Sequence, residues 1–158
     1  MRSCIIFGLT LVLITLPSCN AAGDRCIGAY NLDQEHEELL ADTGWLEYVE
    51  NNVCDIEYVP LIPTEQLNTK IYGRANCSTG NILIATTEIS GAYPRPIDMS
   101  EILITIVHEA AHQEDECKPR ETEAVKMEQA FSLDLCLCLR NQTCNLPGIS
   151  DNTTFSCE

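Results

Sequence analysis

The segment of this chain best suited to chemistry is His108-Glu109-Ala110-Ala111-His112. On a helix, residues four apart lie one turn apart on the same face, so both imidazoles reach a single cation. Glu109 projects beside them, where a carboxylate can take a proton from metal-bound water and hand it to a leaving amine. Zinc brings the pKa of such water from about 15.7 to about 7, which makes hydroxide available at neutral pH. The blander reading is a helix with two ordinary histidines beside acidic residues. Small Ala110 and Ala111, and the apolar run Ile102 to Val107 before the motif, instead suit a helix threaded through a core.

A catalytic zinc needs a third protein ligand and one open position. The only other histidine is His36. Asp115 and Glu116 lie one turn too far along the same helix to fold back. A second helix after Pro119 is the better source, because a sharp reversal brings its first turn over the histidines. It offers Glu121, Glu123 and Glu128. Glu121 and Glu128 flank the apolar face on a helical wheel, whereas Glu123 lies on its other edge, near solvent. Glu121 is nearest the reversal and is the expected ligand. Glu123 or Glu128 could orient a ligand from behind. Cys117 could staple the turn.

The elements that position these residues follow from periodicity. Asn31 to Asn52 reads as a helix with Asp33 as cap, which Gly44 weakens or splits. Cys54 to Ile62 is extended and stopped by Pro60 and Pro63. Lys70–Gly73 and Ile82–Ile89 form a hairpin around the turn-rich Asn76–Asn81. Gly91 to Asp98, with two prolines, reads as a loop. Ser100 caps a helix to about Glu116. Leu103, Val107 and Ala111 form one stripe on it, and Ile104, His108 and His112 another roughly 100° away. The last helix runs from Arg120 to about Leu139 and buries Ala124, Met127, Phe131 and Leu135. The expectation is one α+β domain over residues 22–158: a small antiparallel or mixed sheet packed on the HExxH helix and the helix after it, stapled by disulfides.

The stretch Ile102 to Phe131, ILITIVHEAAHQEDECKPRETEAVKMEQAF, resembles the small minimal zincin metallopeptidases, of gluzincin type, in which HExxH precedes an ExEA helix. Glu121-Thr122-Glu123-Ala124 occupies that place. The resemblance covers about 50 residues, from the hairpin to Phe131. It implies one zinc ion, His108 and His112 as ligands, Glu109 as base, and hydrolysis of peptide bonds. It also implies an edge strand, matched in position by Ile82–Ile89, that pairs with peptide substrate through its main chain. Glu121 follows His112 more closely than in many gluzincins, and no HExxHxxGxxH is present. No residue matches the family's oxyanion-stabilising tyrosine or histidine; Tyr93 and His36 are only candidates.

Composition sets the compartment and the partners. Residues 1–21 read as a signal peptide, with Arg2 as the basic start, the apolar run Cys4–Leu16, and cleavage after Ala21. Leu16-Pro17-Ser18-Cys19 resembles a lipobox, but Pro17 is unusual in one. Of the 10 cysteines, Cys4 and Cys19 leave with that segment. The remaining even set reads as four disulfides of unreadable pairing. Three sequons, at Asn76, Asn141 and Asn152, suit a secreted glycoprotein. The formal net charge of −15 becomes −16 without Arg2, which argues against nucleic acid and anionic membranes as partners. The expected protein is a secreted zinc metalloendopeptidase acting on peptides or proteins. The alternatives are a catalytically inactive, disulfide-rich binding or effector protein on the same scaffold, and an acidic chain that sequesters metal.

Overall fold

The computed structural model describes residues 31–63, 71–90, 93–114 and 121–144. The expected signal segment, Asp115 to Cys117 and the sequon at Asn152 fall outside them. The architecture is α+β, with two small sheets among four helices. No helix among the described residues is long and apolar enough to cross a membrane.

Gly44 divides the first helical stretch into α1 (Gln34–Thr43) and α2 (Leu46–Asn52). Its φ of 79° lies in the left-handed region, which glycine enters without steric cost. Gly44 N–H donates to Ala41 O at 3.0 Å and Trp45 N–H to Leu40 O at 2.8 Å, a double bond pattern that satisfies the helix-end carbonyls. Asp33 precedes α1, but its side chain makes no capping bond. Its carbonyl accepts the Glu37 N–H instead.

Three strands form the main sheet: β1 (Asp55–Val59), β2 (Gly73–Asn76) and β3 (Asn81–Ala85), in the order β1-β3-β2. The β2–β3 hairpin is antiparallel, with Gly73 opposite Ile84 and Asn76 opposite Asn81. β1 lies parallel on the other side of β3, with Ile56 opposite Ile82. The expected edge strand, Ile82–Ile89, therefore supplies the centre of the sheet, and β1 and β2 are its edges. The physical reason lies in Ile82-Leu83-Ile84-Ala85. An unbroken apolar run belongs to a strand covered on both faces, which a central strand satisfies.

That strand also ends earlier than expected. Thr86 donates its N–H to Val59 O and its carbonyl accepts the Ile97 N–H. The chain then turns out into a second, two-stranded sheet of β4 (Thr87–Ser90) and β5 (Tyr93–Pro96). The expected loop at Gly91–Asp98 thus contains a strand. Proline cannot donate to a ladder, yet Pro94 and Pro96 sit opposite Ile89 and Thr87. Strand pairs alternate between hydrogen-bonded and non-bonded, so prolines on alternate positions leave the bonded pairs to Tyr93 and Arg95.

The helix α3 (Met99–Gln113) starts one residue before Ser100, with Asp98 at its entry and no side-chain cap. It ends at Gln113, three residues short of the expectation, where Glu114 N–H closes on Ala111 O. α4 (Glu121–Arg140) matches its expected span within a residue. Ala124, Phe131 and Leu135 are buried along it, as is Cys138, while Met127 is partly buried. Cys138 is disulfide-bonded to Cys144, and Cys54, Cys77 and Cys136 are also disulfide-bonded. The core joins Leu40 and Val49 to Ile82 and Ile84, to Leu103, Ile106 and Val107 of α3, and to Phe131 of α4.

One buried ionisable group belongs to the frame and not to the chemistry. His36 of α1 is only 5 % exposed. Its Nδ1 lies 2.8 Å from Tyr58 Oη, which also accepts the Asp33 N–H. A neutral imidazole can satisfy this contact in either tautomer, accepting from the phenol at Nδ1 or donating to it. Burial lowers the His36 pKa below 6.5, against the opposing charges of Asp33 and Glu35. The folded state thus prefers neutral His36. Its contribution is complete above the unfolded pKa of about 6.5 and is lost as pH falls through the lower folded value. The wild-type urea midpoint should fall faster than that of His36→Gln between about pH 6.5 and pH 5. Parallel midpoints across that window would refute the account.

Candidate metal centre

His108 and His112 leave α3 on the flank not covered by the core. Around the rest of that helix Leu103, Ile106, Val107 and Ala110 are fully buried, whereas Ile104, His108 and His112 are half-buried. The two imidazoles converge. Their Nε2 atoms are 3.2 Å apart, with ring planes 70° to one another. Glu121, the first residue of α4, closes the triangle. Its Oε1 is 3.5 Å from His108 Nε2 and its Oε2 is 3.2 Å from His112 Nε2. One ligand atom from each of the three lies within 4.8 Å of the others, a grouping able to hold a metal ion.

The remaining glutamates separate by helical phase. Glu128 stands two turns after Glu121 on the same face of α4. Its Oε2 accepts the proton of His108 Nδ1 at 2.9 Å. A carboxylate offers only acceptors, so the ring proton sits on Nδ1 and Nε2 presents a bare lone pair toward the triangle. Glu123 points elsewhere and pairs with Lys126 at 3.1 Å. The sequence left the orienting role open between Glu123 and Glu128; of the two, Glu128 contacts the His108 ring.

Glu109 is 8 % exposed and lies beneath the β2 edge. Burial pushes its pKa up to about 7. The nearby His108, a hydrogen bond from Ala75 N–H and the charge of Arg74 work against that rise, while Glu121 adds to it. A carboxyl that titrates near neutrality exchanges protons readily in either direction.

A cleft of about 610 Å³ runs over these groups and is walled by Tyr72 and Gly73 of the β2 side and by Glu101, Ile104 and Thr105 of α3. Compared with models of known protein families, with curated proteins and with solved structures, the chain matches none. The chemistry of the site therefore rests on its own geometry.

Two sequence candidates lie away from the cleft. His36 is bonded to Tyr58, and Tyr93 is 78 % exposed on β5. Sequence reasoning missed Tyr72, which lines the cleft and donates its hydroxyl to Glu88 at 2.5 Å. Glu88 in turn pairs with Arg95 across the β4–β5 ladder. Only the pairing of distant strands reveals that link. It missed Gly73 too, whose type carried a signal: a glycine inside a strand marks a close approach.

The Glu128 contact has a measurable consequence. Carboxylates that orient metal-binding imidazoles typically contribute 10- to 100-fold in affinity. Glu128→Ala should weaken zinc binding, measured by competition with a chromophoric chelator, by about that factor. Glu123→Ala should leave it within about twofold, as expected of an exposed pair. Equal effects from the two substitutions would remove Glu128 from the site.

Proposed function

We propose that this chain is a zinc-dependent peptidase in which His108, His112 and Glu121 hold the ion and Glu109 is the general base. The observation that carries the reading is the convergence of two imidazole nitrogens and one carboxylate. A tetrahedral zinc with bonds of about 2.0–2.1 Å has ligand–ligand edges of about 3.3–3.4 Å. Here the two Nε2 atoms are 3.2 Å apart, and Glu121 brings one oxygen to each ring, Oε2 at 3.2 Å from His112 Nε2 and Oε1 at 3.5 Å from His108 Nε2, so one donor atom from each residue lies within 4.8 Å of the others. Two imidazole lone pairs and a carboxylate oxygen aimed at one point repel one another unless a cation or proton sits among them. Two histidines and a glutamate are also a donor set of catalytic zinc, which keeps a fourth position for water or substrate.

Zinc so held supplies a Lewis acid for a carbonyl and an acidified water. The protein's own groups do the rest. Glu109, buried beside β2, takes a proton at its carboxylate and returns it to the departing amine. Glu128 keeps the His108 lone pair directed inward. The substrate pairs with β2, an edge strand of the main sheet. In an antiparallel ladder the main-chain groups alternate in direction. Tyr72 O is bonded to Ala85 N–H, so the groups of Gly73 and Ala75 face outward, away from β3. With the Ala75 N–H given to Glu109, the Gly73 groups and the Ala75 carbonyl are what an added extended strand would pair with. Glu101, Glu121 and Glu128 make the cleft acidic, and the chain as a whole carries −15, so cationic peptides are favoured. The sequence resemblance to minimal zincins agrees with this assignment, as do the disulfide-bonded cysteines.

Cleavage of a mixed peptide library should be abolished by a chelator and restored by zinc. Glu109→Gln should keep one zinc per chain by elemental analysis yet lose about 10²- to 10⁴-fold in kcat. Glu121→Ala should lose the metal, whereas Glu123→Ala should retain it. A zinc-loaded wild type that cuts no peptide in the library would leave a binding protein on this scaffold. Retention of zinc by Glu121→Ala would move the third ligand.

A further inference from the structure

We infer that Gly73 is a positioning residue for Glu109, with the edge strand shaped to hold that carboxylate in place. The inference rests on the peptidase reading for its consequence in turnover, but its geometry stands alone. Gly73 opens β2, and among the described glycines only Gly44 and Gly80 have positive φ. The backbone at Gly73 therefore does not demand glycine. A glycine inside a strand weakens it and forgoes a packed side chain. What it provides here is space. A Cβ on Gly73 would stand 2.5 Å from Glu109 Cγ, 2.6 Å from Glu109 Oε1 and 2.6 Å from Thr105 Cγ2. All three distances are far inside van der Waals contact.

The two neighbours differ in their freedom to move. Thr105 is β-branched, 8 % exposed, and its hydroxyl is bonded to Glu101 O at 2.7 Å, so its methyl is fixed. Glu109 has rotatable bonds and an open cleft beside it. An added methyl therefore displaces the Glu109 side chain first. That displacement breaks the bond from Ala75 N–H, which belongs to the same strand two residues on. Gly73 and Ala75 thus act as a pair: one makes room for the carboxylate, the other anchors it. Misplacing a catalytic group by about 1 Å costs about 100-fold in rate.

The test compares Gly73→Ala with wild type in full-length, zinc-loaded protein. Kcat should fall about 10- to 100-fold with KM within about threefold and zinc content unchanged. Gly73→Ala/Thr105→Ser, which removes the rigid methyl, should recover part of the loss. In the metal-free protein, the Ala75 amide resonance in ¹⁵N-resolved NMR should shift in Gly73→Ala as it does in Glu109→Ala. Unchanged kcat in a folded Gly73→Ala would overturn the inference. So would a joint loss of kcat, zinc and thermal midpoint with no recovery in the double variant. If the wild type hydrolyses no peptide, the peptidase reading falls, and the Ala75 resonance alone decides whether Gly73 positions Glu109.

Discussion

The burial of α3 is the constraint on which the rest depends. That helix touches β2 and β3 on one side and α2 and α4 on others, and Leu103, Ile106, Val107 and Ala110 lose essentially all solvent contact. A helix apolar on nearly all sides has few ways to rotate without exposing a large side chain. Its orientation is therefore fixed by packing, and the polar stripe through His108 and His112 is fixed with it. The convergence of two rings to 3.2 Å between nitrogens follows from the core and not from any bond between the rings. Phe131 of α4 is buried against the same core. It sets the phase of the second helix, and with it the positions of Glu121 and Glu128.

Burial on this scale has an electrostatic consequence. A carboxyl withdrawn from water resists ionisation, which is the largest influence on Glu109. Yet Glu109 is not left without stabilisation: Ala75 N–H and the charges of His108 and Arg74 favour its ionised form. Opposed effects of this kind bring the group near neutrality, where either protonation state is accessible. Glu121 and Glu128 are far more exposed and suit a different task. Both present a carboxylate to an imidazole, Glu121 to the Nε2 atoms of His108 and His112 and Glu128 to Nδ1 of His108. Three glutamates around one histidine thus differ in depth and in the direction from which they approach it.

Much of this was legible in the sequence, and the part that was not is instructive. The helical period placed α3 and α4 within a few residues, because long amphipathic or apolar helices announce themselves locally. Gly44 marked the break between α1 and α2 by its type alone. Glu121 was reached by counting from Pro119, although the segment between the helices lies outside the described residues. The strand order was missed. Whether β3 is edge or centre depends on Ile56 and its neighbours, some 25 positions away in the chain, and no local pattern encodes that pairing. The run Ile82–Ala85 did carry a hint, since it lacks the alternation of a half-exposed edge. The β5 strand was hidden by Pro94 and Pro96, which argue against a strand until their alternate spacing is matched to a partner.

The same prolines bear on how the protein treats its free edges. An exposed strand edge invites pairing with any extended chain, and proline on an edge prevents it. β5 is exposed at all four positions and carries a proline at every second one. β2 carries none, and its Gly73 borders the cleft. Glu88 connects the two: it is buried, it pairs with Arg95 on the blunted hairpin, and it receives the hydroxyl of Tyr72 at the start of β2. A buried carboxylate is costly unless such partners are present, so this contact tolerates little sliding of the hairpin against β2. The β4–β5 hairpin then has a physical role beside the cleft. It braces the β2 edge, while its own strand β5 carries prolines in place of backbone donors at alternate positions.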